Sequence, residues 1–225
     1  MLVMEHVERV YRTDLVETRA LRDLNLTVEN GDFTAVVGPS GSGKTTFLNI
    51  AGLLETFDGG SYTLDGDNVS GLSDRDRSRL RNEKIGFIFQ GFNLIPDLNI
   101  FDNVDVPLRY RGFDAAERKK RIETQLDRVG LAGRMKHLPA QLSGGQQQRV
   151  AIARALAGEP RFMLADEPTG NLDSQTAEGV MDLLKELNDG GTTIVMVTHD
   201  NTLADQAKAI VRLQDGEVVT GDVAS

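Results

Sequence analysis

The 225-residue chain has no cysteine, which excludes disulfides and thiolate metal sites and fits a reducing compartment. No apolar run approaches the ~20 residues that a membrane helix requires. Its first twelve residues carry Glu5, Glu8 and Arg9 where a signal peptide needs an apolar core, so no leader and no direct membrane insertion are expected. Positive charge is in deficit as well. A formal net charge of -9 leaves no electrostatic footprint for nucleic acid over the chain as a whole, and nucleic acid is not expected as a partner. Internal repeats, low-complexity tracts and linkers long enough to part independent domains are also missing. What is present, 40% hydrophobic and 26% charged residues, suffices for one sizeable core with an attached subdomain.

Short β-branched runs that end in polar residues alternate with longer amphipathic segments, the pattern of an α/β core. The runs Phe33-Thr34-Ala35-Val36-Val37, Phe162-Met163-Leu164-Ala165 and Thr193-Ile194-Val195-Met196-Val197 read as buried, largely parallel strands. Asp65-Gly66 and Asp215-Gly216 sit at the centres of two hairpin patterns, which predicts an antiparallel β layer too. Strand signals are scarce between Gly91 and Ala157, and Ile122, Leu126 and Val129 recur behind a charged face of Glu117, Arg118, Lys119 and Arg121. This is a helical insertion. The run from Ser73 to Lys84 interleaves Asp74, Asp76 and Glu83 with Arg75, Arg77, Arg79 and Arg81, which reads as a solvated helix face.

Gly38-Pro39-Ser40-Gly41-Ser42-Gly43-Lys44-Thr45 matches the P-loop pattern and lies between a strand and a helix, where that motif must lie. The glycines free backbone N–H groups to wrap a β-phosphate, Lys44 suits the β- and γ-phosphates, and the Thr45 hydroxyl suits magnesium. Thr46 is placed for the α-phosphate. Asp166 and Glu167 end a strand at the rim where α/β proteins place ligands. Asp166 fits the magnesium side, reached through water, and Glu167 fits polarisation of the attacking water. His199 ends the next strand, after Thr198, and could hold the γ-phosphate and that water in line. Gln90 closes Ile85-Gly86-Phe87-Ile88-Phe89 and suits the sensing of magnesium and the γ-phosphate. His6 and His137 lack such company and read as structural.

A second anion-type feature lies downstream. Ser143 can cap a helix, Gly144 and Gly145 bare the backbone, and Gln146-Gln147-Gln148-Arg149 begin the helix proper, which Gly158 and Pro160 stop. By itself this is more often a capped turn than a ligand site.

The ordered set of Gly38 to Thr45, Gln90, Leu142-Ser143-Gly144-Gly145-Gln146, Asp166-Glu167, Asn171-Leu172-Asp173 and His199 resembles the ATPase of ABC transporters over essentially the whole chain. The resemblance implies a P-loop NTPase core with a mainly parallel sheet, an antiparallel β layer and a helical subdomain. It makes residues 1–225 one nucleotide-binding domain, with core and β layer in 1–90 and 158–225 and the signature subdomain in 91–157. By the same resemblance Tyr11 stacks on adenine, Gln90 is the Q-loop residue, Asp173 the D-loop acid and His199 the switch histidine. Phe87-Ile88-Phe89-Gln90, Asn103-Val104, Val106-Pro107-Leu108, Gln146-Gln147-Gln148 and Thr169-Gly170-Asn171-Leu172-Asp173 are similar to the lipoprotein-release, macrolide-efflux and cell-division branch.

This resemblance implies ATP and Mg2+ as ligands and a homodimer in which Ser143, Gly144, Gly145 and Gln146 complete the ATP site of the other subunit. It also implies a separate integral membrane permease, and hence a cytoplasmic chain peripheral to the cell membrane. An apolar group of Phe92, Leu94, Ile95 and Leu98 is expected to help form the permease docking groove. The competing functions are a soluble ABC ATPase acting on a partner such as a cluster-assembly complex, and a nucleotide-gated binding module with negligible turnover. The intact Glu167 and His199 oppose the latter. The phosphate loop reads no base, so ATP over GTP rests on the resemblance and the Tyr11 stack.

Overall fold

The computed structural model describes residues 1–13 and 16–223. Strands β1 (Leu2–Arg12), β2 (Glu17–Val28) and β3 (Phe33–Val37) come first, followed by helix α1 (Lys44–Ala51). Next are β4 (Gly59–Leu64), β5 (Asp67–Asn68), α2 (Asp74–Lys84) and β6 (Ile85–Phe89). Three helices follow, α3 (Ile100–Arg109), α4 (Ala115–Arg128) and α5 (Gly144–Ala157). The chain then alternates through β7 (Phe162–Asp166), α6 (Ser174–Asp189), β8 (Thr193–Val197) and α7 (Asn201–Ala204) before β9 (Ala209–Gln214) and β10 (Glu217–Val223). These elements form two compact units, Met1–Arg81 with Gly191–Ser225, and Asn82–Gly190.

In the first unit β3 pairs in parallel with both β8 and β9, and β10 runs antiparallel along β9. Every residue of β3 and β8 is buried, which is why their sequences are continuous apolar runs with no alternation. A separate antiparallel sheet has the order β2-β1-β4-β5. Both Asp-Gly turns form as expected, with φ of 51° and 84° at Asp65 and Gly66 and of 50° and 84° at Asp215 and Gly216. Two consecutive left-handed residues are what a type I′ hairpin needs. The two hairpins belong to different sheets, however, and only the first lies in the antiparallel layer.

Most of that layer comes from β1 and β2, and in β1 apolar periodicity does not reveal the strand. In β1 the register slips between Met4 and Val7, where His6 has a φ of 52°. The bulge inserts a residue and breaks the two-residue alternation on which strand recognition depends.

In the second unit β6 and β7 pair in parallel, from Ile85 beside Phe162 to Phe89 beside Asp166. Between them in sequence, residues 91–157 contain helices and no strand among the described residues. Val104 and Leu108 of α3, Ile122 and Leu126 of α4, and Val150 and Ala153 of α5 are all fully buried. Each larger aliphatic side chain among them contributes roughly 1.5–3 kcal/mol relative to exposure. On the charged side of α4 Glu117 and Lys119 are exposed, while Arg118 and Arg121 are half-buried in ion pairs with Asp105 and with Glu117 and Glu159. Its Asp114 cap accepts from the Glu117 N–H at 2.9 Å. Helix α2 buries none of its residues, as its mixed charges require. Among the described residues no helix is long and apolar enough to cross a membrane.

Candidate functional site

The phosphate loop of the first unit joins the end of β3 to the start of α1 and is wedged between neighbouring backbones. A Cβ at Gly38 would lie 2.1 Å from the Leu213 carbonyl oxygen of β9. At Gly43, with a φ of 102°, a Cβ would lie 2.5 Å from the Ala20 oxygen of β2. Only glycine fits these two approaches. The loop is closed by the Ser42 N–H donating to the Pro39 oxygen at 3.2 Å and by the Gly216 N–H donating to the Ser42 oxygen at 3.0 Å.

Helix α1 opens with no side-chain cap and no acidic residue in its first turn. Its leading N–H groups and the positive end of its dipole are therefore available to an anion. Lys44 folds back over the loop, with Nζ donating to the carbonyl oxygens of Gly38 and Pro39 at 2.6 and 2.8 Å. Those acceptors are of the kind that phosphate oxygens replace with stronger, charge-assisted bonds. Ser40, Gly41 and Thr45 are exposed, while Ser42 and Thr46 are buried. The Ser42 Oγ is enclosed without a hydrogen-bond partner among the described residues.

Two more residues of this unit bear on the site. β8 runs parallel beside β3, so Thr198 and the exposed His199 leave the same sheet edge as the phosphate loop. Asp200 then caps α7 through the Thr202 and Leu203 N–H groups. Tyr11 is 38% exposed, and so is not the core aromatic that its place near a strand end could suggest. Its hydroxyl donates to Glu55 Oε2 at 2.8 Å and lies 3.5 Å from the Thr46 Oγ1. The Arg9 guanidinium stands 5.0 Å from the ring centroid.

In the second unit the parallel pairing of β6 and β7 brings Gln90 and the acids Asp166 and Glu167 out of one edge. Glu167 has a φ of 45°, and the Gly170 N–H donates back to its oxygen at 3.0 Å. The strand therefore ends in a tight turn directly at the second acid. Asn171 Nδ2 donates to the Gln90 carbonyl oxygen at 2.9 Å, and a Cβ at Gly170 would lie 2.7 Å from Gln90 Nε2. Asp173 caps α6, accepting from the Thr176 hydroxyl at 2.6 Å and the Thr176 N–H at 3.0 Å. These bonds hold its carboxyl below the ordinary aspartate range.

Helix α5 begins at Gly144 with a capping box. The Gln146 N–H donates to the Ser143 Oγ at 3.4 Å, and the Ser143 N–H donates to Gln146 Oε1 at 3.1 Å. Ser143 is exposed, but Gly145 is buried, and a Cβ there would lie 2.2 Å from Thr176 Cγ2. Gly145 thus serves the packing of α5 on α6 as well as an open backbone. The three glutamines divide: Gln146 makes the box, Gln147 donates to the Leu142 oxygen, and Gln148 is fully buried with Nε2 on the Pro168 oxygen at 2.7 Å.

The expected docking group follows Gln90 on an irregular segment. Phe92 and Asn93 both have left-handed backbones, and Ile95 is 42% exposed while Phe92, Leu94 and Leu98 are half-buried. Two side chains to which the sequence pattern assigns no such task hold the segment. Arg154 of α5 donates to the Phe92 and Asn93 carbonyl oxygens. Asn103 accepts from the Ile95 N–H at 2.7 Å and donates to the Ile95 and Leu98 oxygens. Burial makes the Arg154 guanidinium easier to deprotonate than usual.

The Thr45 hydroxyl in the first unit, and the Gln90 carboxamide and Asp166 carboxylate in the second, are each oxygen donors of the hard kind that magnesium takes. Among the described residues no cluster of three or more His, Asp or Glu is gathered into a metal cage.

The comparisons with known proteins agree with this geometry. A family model described as ABC transporter matches residues 21–170. The ABC transporter ATP-binding protein YknY of Bacillus subtilis is 46% identical over 219 residues, covering 97% of the chain and 95% of its own length. The macrolide export ATP-binding/permease protein MacB of Escherichia coli is 46% identical over 219 residues, which are 97% of the chain and 34% of that protein. The dimeric post-hydrolysis structure of the ATP-binding cassette MJ0796 with ADP and Pi superposes with a TM-score of 0.90 at 43% identity. It covers 100% of this chain and 99% of its own. With a phosphate loop between strand and helix, a strand ending in two acids and a capped Ser-Gly-Gly helix, the chain belongs to the ABC transporter family as an ATP-hydrolysing cassette.

Proposed function

We propose that the chain is the motor subunit of an ABC transporter-type complex, closing as a head-to-tail dimer on two ATP molecules and driving a separate membrane permease. The observation that carries the reading is the uncapped, acid-free start of α1, with Lys44 poised on the loop in front of it. The loop N–H groups from Ser40 to Thr46 bind the phosphates, and Tyr11 stacks on the base. Ser143, Gly144, Gly145 and Gln146 complete the partner subunit's ATP site, and Asp173 lies near that same junction. Thr45, Gln90 and Asp166 would hold magnesium, which supplies charge neutralisation at the β- and γ-phosphates. Glu167 takes the proton of the attacking water, and His199 orients that water and the γ-phosphate.

Loss of the γ-phosphate removes the contacts that hold the dimer closed, and the halves separate. The motion reaches the permease through Phe92, Leu94, Ile95 and Leu98, in the helical subdomain of residues 91–157. Both the dimeric MJ0796 cassette and the MacB fusion of ATPase and permease support this reading over a partner away from the membrane. The chain is then peripheral on the cytoplasmic face. Glu167→Gln tests the proposal: ATP binding is retained, turnover falls by about 100-fold or more, and ATP-dependent dimers accumulate. Retained hydrolysis with unchanged dimerisation would overturn it.

A further inference from the structure

The turn that carries Glu167 is held by a side chain to which no motif assigns a task. Gln148 lies on α5, five residues beyond the Ser143 cap, and is fully buried. Its Nε2 donates to the Pro168 oxygen, while its Oε1, equally buried, meets no partner among the described residues. The amide cannot be turned over to relieve that, because its oxygen would then face a carbonyl oxygen. Volume alone does not ask for such a residue, since methionine fills a similar space but leaves the buried Pro168 oxygen without this donor. The feature that glutamine adds is the N–H donor on Pro168.

Pro168 follows Glu167, whose φ of 45° is a conformation that residues other than glycine rarely adopt. Asn171 ties the far end of the same turn to the Gln90 carbonyl. The turn is therefore gripped from α5 on one side and from the end of β6 on the other, all within one compact unit.

We infer that Gln148 is a positioning residue that holds Glu167 in this backbone conformation and links it to the state of the α5 N-terminus. The inference rests on the proposed function, in which the Ser143 end of α5 serves the partner's ATP while Glu167 acts on the chain's own. About one and a half turns of helix and one hydrogen bond then join the two composite sites. From Ser143 to Gln148 the helix rises only about 7–8 Å. Occupancy at one site thereby reaches the base of the other without any change in the P-loop.

The test is ATP hydrolysis by the full chain carrying Gln148→Met, with thermal melting recorded beside it. The variant is expected to melt close to the parent temperature, because loss of the orphaned Oε1 offsets the bond lost at the buried Pro168 oxygen. Its kcat should fall about tenfold, its KM for ATP stay within about twofold, and its Hill coefficient drop from about 2 toward 1. Gln148→His, which returns an N–H donor, is expected to recover at least half of the lost kcat. Introduced together with Glu167→Gln, Gln148→Met should lower the residual rate no further, because it acts through that residue. A Gln148→Met chain with the parent's kcat and Hill coefficient overturns the inference. So does a loss that multiplies with that of Glu167→Gln, or one that methionine and histidine share equally. Failure of the underlying reading shows separately, as hydrolysis that survives Glu167→Gln alone.

Discussion

Among the described residues two helix N-termini are flanked by glycine, and they differ in how their leading N–H groups are satisfied. α1 has Gly43 as its N-cap, no capping side chain and no acid in its first turn. α5 has a reciprocal box between Ser143 and Gln146. The first helix is built around an anion that the protein does not itself supply, and the second is complete without one. This is the division of labour expected if α1 binds its own nucleotide unconditionally, while α5 meets the partner's nucleotide only when two copies close. A helix end that is used intermittently must be tolerable when empty, and the capping box makes it so.

The contrast is most vulnerable at Lys44 and Ser143. Lys44→Ala is expected to weaken ATP binding by the isolated monomer about 100-fold or more, because the charge-assisted contacts to phosphate are lost. Ser143→Arg should leave monomer affinity within about threefold yet lower hydrolysis on the order of 100-fold, since the added side chain obstructs closure. Calorimetric titration of both variants decides the matter, and equal losses of affinity would erase the distinction between the two helix ends.

Next in size is the tolerance of their glycines. Gly38→Ala drives a Cβ to 2.1 Å from a backbone oxygen that cannot swing aside. It is expected to cost about 2–4 kcal/mol in chemical denaturation. At Gly144 the nearest obstacle is the Leu172 Cδ2 at 3.3 Å, a flexible end. The helix propensity regained by Gly144→Ala is about 1 kcal/mol, so the net effect on stability should be near zero or favourable. Denaturation midpoints that fall equally for both would contradict the wedged geometry of the phosphate loop.

The smallest effect concerns the cap itself. Ser143→Ala removes an exposed cap whose bond is 3.4 Å long, and a loss of about 0.5–1 kcal/mol is expected. Ser143→Asp should keep the cap and the melting temperature while placing a negative charge where the partner's phosphates arrive, so hydrolysis falls though stability does not. A Ser143→Asp chain that hydrolyses ATP like its parent would show that α5 does not meet an anion.

Much of this architecture is legible in the amino-acid sequence. The P-loop strand and helix, the two Asp-Gly hairpins, the helical run of residues 91–157 and the strand ends at Gln90, Glu167 and His199 all lie where local pattern puts them. Local pattern suffices there because buried parallel strands must be continuously apolar and tight turns need left-handed residues. It fails for β1, where the bulge at His6 scrambles the alternation. Gly158 does cap the end of α5 as read, but with an ordinary φ of -81°, so backbone freedom is not what requires glycine there. A Cβ there would press on the Arg111 guanidinium, which bonds the Gly158 and Asn82 oxygens and ties the end of α5 to the last turn of α2.

Gln146, Gln147 and Gln148 mark the boundary between what is written locally and what is not. The phosphate loop, the paired acids, the capped second helix and their order follow from the residues alone, because each is a short-range requirement of backbone geometry or charge. Gln146 is singled out locally as the third residue after the Ser143 cap, but no such rule separates Gln147 from Gln148. Their separate fates are set by the folded chain, in which one returns to the preceding carbonyl and the other is buried against the turn of the catalytic acid. A helix turns 100° per residue, so adjacent side chains face different surroundings, and those surroundings are supplied by chain far away in sequence.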